Sequence, residues 1–121
     1  MTQADALDSA SIDALLDLAG GDLDFVDEIA DTYIADAPTQ VGAISAAADA
    51  GDNAALVAPA HTLKSSSASV GATRLSELAR ELEAAARTGP VPDAAGRHQA
   101  IRDELDRVVE ALEARPWRQG S

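Results

Sequence analysis

Between Asp22 and Gly51 an apolar residue returns at every third or fourth position: Phe25, Ile29, Tyr33, Ala37, Val41, Ile44 and Ala48. That spacing is the period of one helix face and not of a strand. It predicts a helix over roughly residues 23–50, with Asp22 as N-cap and Gly51 as stop. Pro38 lies inside the run, removes one backbone donor and is expected to bend the helix; a break into two helices is the competing reading. One apolar side on so long a helix requires matching faces from the rest of the chain.

Three further segments supply them. Asp52 caps a helix that ends near Gly71, with Pro59 past its first turn and a bend expected just before residue 61. Residues 73–88 carry Leu75, Leu78, Leu82 and Ala85 or Ala86 inward, and Gly89-Pro90-Val91-Pro92 stops them. Asp93 caps a last helix to about Ala114, with Ala94, His98, Ile101, Leu105, Val108 and Leu112 in one stripe. His98 belongs to that stripe and reads as a partly buried structural residue. A short helix over residues 12–19, capped by Ser11 and closed by Gly20-Gly21, precedes the long one. The expected fold is therefore all-α, an antiparallel four-helix bundle with an additional short N-terminal helix. The domain spans residues 11–115, with a flexible stretch at 1–10 and a loose tail at 116–121. Four helices complete their own core, so a monomer is expected.

Composition narrows the function. Phe, Tyr and Trp occur once each, too few aromatics for a sheet protein. Without cysteine there are no disulfides and no thiolate metal sites. No apolar run approaches a membrane span and no signal-peptide pattern opens the chain, so a cytoplasmic protein is expected. Twenty-one acidic residues against 9 basic give a net charge of −12, which disfavours nucleic acid and anionic membranes. Asp22, Asp24, Asp27, Glu28 and Asp31 are candidate calcium ligands by type. Their spacing does not match an EF-hand loop, and a solvated face favoured by the helix dipole explains them better. No metal site is expected.

The chemistry concentrates in Ala60-His61-Thr62-Leu63-Lys64-Ser65-Ser66-Ser67-Ala68-Ser69-Val70-Gly71-Ala72, which holds one of two histidines and the only lysine. On a helix, Lys64 lies ~60° from His61 and Ser65 ~40° to the other side, while Leu63 points ~160° away. Val57 and Ala68 fall in the histidine's stripe; Leu56, Pro59, Ser66, Ser67 and Val70 share the side of Leu63. His61 is thus expected on the face away from the core. A neutral imidazole is a nucleophile near neutral pH, and an ammonium beside it offsets phosphate charge. Short side chains at Ser65 and Ala68 leave room for a second protein. A lone His-x-x-Lys pair is more often an ordinary surface feature, and the surroundings are what raise it above that. A Ser-His-Asp hydrolase is disfavoured, because no G-x-S-x-G elbow or strand context accompanies the serines. Ser66 and Ser67 are expected to pack where the helices approach closely, bonding back to their own helix backbone.

The segment His61 to Ala72 resembles the signature of histidine-containing phosphotransfer domains: His-x-x-Lys, small residues, then Gly-Ala opening the next helix. Asp36-Ala37-Pro38, Ala50-Gly51-Asp52 and the Leu-x-x-Leu-Ala-x-x-Leu-Glu run from Leu75 to Glu83 extend the resemblance over about residues 7–89. The final helix matches only in type. Ser65 departs from the glycine most common there. The resemblance implies a phosphorelay intermediate in which His61 accepts the phosphoryl group and Lys64 neutralises its charge. Val57, Ser65 and Ala68 would border the docking surface, and Gly71 would make the turn. It implies receiver domains of response regulators and a hybrid sensor histidine kinase as partners, and a phosphocarrier without kinase activity. No phosphate-binding glycine loop occurs, so magnesium is expected on the partner receiver. The alternative is a helical interaction module that binds receivers without carrying phosphate. A dimerising sensor-kinase fragment is weaker, because that family's proline after the histidine motif is absent.

Overall fold

The computed structural model describes residues 6–118. Five helices follow one another: α1 (Ser9–Leu18), α2 (Leu23–Ala50), α3 (Asn53–Ser69), α4 (Thr73–Thr88) and α5 (Ala94–Glu113), then a 3₁₀ turn at Pro116–Arg118. No strand occurs among the described residues. The aspartate caps act as their spacing indicates. Asp22 accepts from the N–H groups of Asp24 and Phe25, Asp52 from Ala55, and Asp93 from Gly96. Gly51 ends α2 in the left-handed conformation, at φ +66°.

Short connections fold α2 to α5 back on one another as an antiparallel bundle. α3 packs most extensively on α4 and next on α2, while α5 closes the ring against α2 and α4. Ile44, Leu56, Leu63, Leu75, Leu82, Ile101 and Leu112 are fully enclosed. Each such side chain contributes roughly 1.5–3 kcal/mol by leaving water. α2 runs unbroken through Pro38, and its buried side is Val26, Ala30, Tyr33, Ala37, Val41, Ile44 and Ala47. Phe25, expected in this stripe, is 44% exposed. Three successive steps of four residues carry it ~120° round the helix from Ala37. Val26 takes its place.

Both ends of the described segment make contacts with the bundle. α1 is capped by Asp8 rather than Ser11: the Asp8 carboxylate accepts from the Ser11 N–H at 3.1 Å and from its hydroxyl at 2.7 Å. The Asp8 N–H donates to the Gly71 carbonyl at 2.7 Å, and Ala6 is buried. Within the stretch expected to be flexible, Ala6 and Asp8 thus contact the bundle and the turn between α3 and α4, and α1 already begins at Ser9; residues 1–5 of that stretch lie outside the described residues. At the other end Trp117 is only 8% exposed and donates Nε1–H to Asp27 at 2.8 Å. Arg118 bonds Asp24 and Asp27, Arg115 bonds Asp31, and the Arg115 guanidinium sits 5.9 Å from the Trp117 ring centre. The expected loose tail thus folds onto α2 as far as Arg118; residues 119–121 lie outside the described residues. Asp24, Asp27 and Asp31 anchor this turn, which corrects their reading as a merely solvated face. The Arg118 bond, then the Trp117 bond, holds the Asp27 carboxyl below its ordinary range.

Candidate functional site

α3 divides as its residues dictate. Leu56, Pro59, Ala60, Leu63 and Ser67 are buried against the bundle. The His61 side chain is 55% exposed on the other side. α3 continues through Pro59, whose ring packs in the core. Ser65 and Ala68 are exposed and Val57 half-buried, so all three flank His61 in one stripe. Ser66 bonds back to the Leu63 carbonyl at 3.3 Å, as expected. Ser67 packs at the close approach of α2, as expected, but its hydroxyl lies 2.8 Å from the Tyr33 hydroxyl instead of bonding back to α3. Burial pushes the Tyr33 phenol up to about 12, against the opposing effect of that bond. His98 is half-buried in α5.

Gly71 sets how α4 leaves α3. Its φ of +79° is left-handed, and a Cβ there would come within 3.2 Å of Ser11 Cβ and 3.3 Å of the Asp8 carbonyl. The resulting turn lays α4 beside the histidine. Ser76 of α4 then donates its hydroxyl to the Lys64 carbonyl at 2.9 Å, fixing the two helices at this level.

Through this contact α4 contributes a residue to which sequence reasoning gave no role. Glu83, with its side chain 8% exposed, places Oε2 3.0 Å from His61 Nδ1 and Oε1 2.8 Å from Lys64 Nζ. Arg87, one turn further along α4, donates to Oε2 through Nε at 3.1 Å and through its terminal nitrogen at 2.8 Å. One carboxylate therefore holds an imidazole and two cations. Lys64 was expected beside His61; it is there, but paired to Glu83 and only 30% exposed. The bonds from Lys64 and then Arg87 bring the Glu83 carboxyl down to about 2, with His61 adding to them against the effect of burial. Glu83 is ionised at neutral pH and can only accept, so the shared proton belongs to His61 Nδ1. Nε2 is then the ring nitrogen with the free electron pair. A signal for Glu83 was present: it stands beside Leu82 and four residues after Ala79, inside the apolar stripe of α4. A carboxylate at such a position needs partners. Arg87, four residues later, is the natural helical one.

The Hpt domain family matches residues 28–111. The chain belongs to that family. Its fold is similar to the crystal structure of histidine-containing phosphotransfer protein B from Pseudomonas aeruginosa PAO1, with a TM-score of 0.84 and 27% identity over 95% of this chain and 97% of that one. It is also similar to the Hpt domain of a sensor hybrid histidine kinase from Shewanella, with a TM-score of 0.76 and 24% identity over 97% and 98% of the two chains. No curated protein matches. Membership in the Hpt family gives the function in outline, histidine phosphotransfer within a phosphorelay. Among the described residues, no helix is long and apolar enough to cross a membrane.

Proposed function

We propose that His61 is the phosphoacceptor and that it shuttles a phosphoryl group between receiver-domain aspartates. One observation carries this reading: an exposed imidazole tied by Nδ1, at 3.0 Å, to a buried carboxylate that also gathers Lys64 and Arg87. The tie fixes the ring plane and leaves Nε2 free to attack phosphorus. In the accepting step the Nε2–P bond forms and the acyl oxygen–P bond breaks, so the aspartate leaves with the electron pair. In-line transfer needs positioning and charge compensation more than covalent work. Glu83 supports the first and Lys64 the second. Val57, Ser65 and Ala68 border the approach to the ring. The receiver brings the aspartyl phosphate and the magnesium that activates it. A hybrid sensor histidine kinase is the donor system, and this chain is a monomeric, cytoplasmic carrier without kinase activity of its own.

The test compares His61→Gln with His98→Gln. A receiver domain phosphorylated by acetyl phosphate is the donor, and acid-labile label on this chain is the readout. Label should disappear in the first variant and persist in the second, with helicity unchanged in both. ATP and magnesium without a partner should leave the wild-type protein unlabelled. Normal labelling of His61→Gln sinks the assignment.

A further inference from the structure

Glu83 has more partners than orienting one imidazole requires. Besides His61 Nδ1 it holds Lys64 on one oxygen and Arg87 on the other, and its side chain is 8% exposed. With a neutral ring, one carboxylate faces two cations, so the cluster carries one net positive charge. The ring sits against that cluster, with Nδ1 3.0 Å from the carboxylate. Resting on the reading of His61 as phosphoacceptor, we propose that Glu83 keeps the phosphorylated ring protonated at Nδ1 and thereby keeps the phosphoryl group transferable.

The argument follows the proton. When Nε2 takes the phosphoryl group, the ring becomes an imidazolium if Nδ1 keeps its hydrogen. In the onward step the Nε2–P bond breaks, the electron pair returns to Nε2, and phosphorus bonds to a carboxylate oxygen of the next aspartate. With Nδ1–H retained, the ring leaves as neutral imidazole. Without it, the ring would leave as imidazolate, a far poorer leaving group, and the phosphoryl group would be stranded. Lys64 and Arg87 alone would favour loss of that proton, because two cations beside an imidazolium repel it. The carboxylate bonds both cations and is itself in direct contact with Nδ1, so the charge nearest the ring proton is negative. A charge-assisted bond from Nδ1–H to Glu83 then survives phosphorylation. Glu83 is thus a positioning residue before transfer and a proton-retaining residue after it. Lys64 and Arg87 become available to the phosphoryl oxygens only as far as Glu83 releases them.

The test uses the full chain, loaded to equal phosphohistidine levels and mixed with an unphosphorylated receiver domain that accepts from the wild type. Glu83→Gln should lose the Nδ1 proton from the phosphorylated ring at neutral pH, read from its ¹⁵N spectrum. Onward transfer should slow about tenfold or more with the loss of a charge-assisted bond. Arg87→Gln removes one competing cation. It should keep the proton and speed onward transfer about two- to threefold, because Arg87 is largely exposed and its field is partly screened. A merely structural role predicts that both variants slow transfer. The proposal is overturned if phosphorylated Glu83→Gln retains its Nδ1 proton, if it transfers at the wild-type rate, or if Arg87→Gln slows transfer. Arg87 is on the surface, so its variant decides the matter even where Glu83→Gln unfolds. Label accepted by His61→Gln would instead remove the reading beneath.

Discussion

Replacing Gly71 by alanine tests whether the turn behind the histidine is built against α1. The backbone at Gly71 has φ +79°, where an L side chain costs about 1–2 kcal/mol. A methyl group would also meet Ser11 Cβ at 3.2 Å, the Asp8 carbonyl at 3.3 Å and Ile12 Cδ1 at 3.5 Å. Asp8 cannot easily retreat, because its N–H holds the Gly71 carbonyl at 2.7 Å and its carboxylate caps α1. Relief therefore requires moving α1, an overpacking cost of about 1–3 kcal/mol. The stiffer unfolded chain returns about 0.4–1 kcal/mol. The net loss is about 2–4 kcal/mol, a fall in Tm of roughly 8–16 °C for a domain of this size. Gly51 is the internal control: its φ is +66°, but nothing lies within 4 Å of a Cβ there. With the same unfolded-chain return taken off, Gly51→Ala should lose only about 0–1.5 kcal/mol. Thermal unfolding followed by circular dichroism measures both. Equal losses for the two variants would refute the packing of α1 against the Gly71 turn.

Four further outcomes follow from particular contacts. Trp117→Ala should lose about 3–5 kcal/mol, as a buried aromatic does, whereas a loose tail would give no change in the denaturant midpoint. Tyr33→Phe strands the Ser67 hydroxyl and should lose about 1–2 kcal/mol; the double variant with Ser67→Ala should lose less than the sum of the singles, which a mutant cycle reads directly. The Glu83 carboxyl titrates at about 2 in the folded chain against an ordinary 4.5, so the native state binds fewer protons between those values. Its stabilisation is complete above pH about 4.5 and drains as pH falls toward 2, and Glu83→Gln should flatten that part of the Tm profile. Ser65→Leu should fold normally yet block phosphoryl transfer, and Ser65→Ala should transfer nearly as the wild type does; a folded leucine variant with wild-type rate would remove Ser65 from the docking border.

Much of the fold was legible because helix signals are local. Asp22, Asp52 and Asp93 cap where a carboxylate can reach a free N–H two or three residues on, a relation contained within one segment. The buried stripe of α5, from Ile101 through Leu112, follows from local spacing for the same reason. What escaped depended on partners distant in sequence. Ser11 was a plausible cap, but Asp8 was the better one because its backbone is also held by Gly71, more than sixty residues away. Trp117 looked like tail until Asp27, on the far end of the chain, supplied an acceptor for its indole N–H. Phe25 failed differently: repeated steps of four drift round a helix, and a stripe extended that way leaves the core face.

The site shows where local reading stops. The orientation of His61 away from Leu63 needed only the angle between successive residues, and the structure has that arrangement. Its chemistry needed the angle between helices. Lys64 could be placed beside His61 by counting along α3, but counting could not show that both converge on a carboxylate of α4. The turn at Gly71 and the Ser76 bond to the Lys64 carbonyl decide that convergence, because they set the height of α4 against α3. Glu83 could still have been suspected on physical grounds. It is a carboxylate in an apolar stripe, where an unpaired charge would be strongly destabilising, with Arg87 one turn away as a partner. That suspicion would have named a buried ion pair and no more. The imidazole adds a consequence for the ring: an ionised acceptor at 3.0 Å from Nδ1 assigns the proton to that nitrogen and leaves the free electron pair on Nε2. A single dihedral at residue 71 and a single carboxylate at residue 83 thus separate an untethered surface histidine from one whose proton is held on a defined nitrogen.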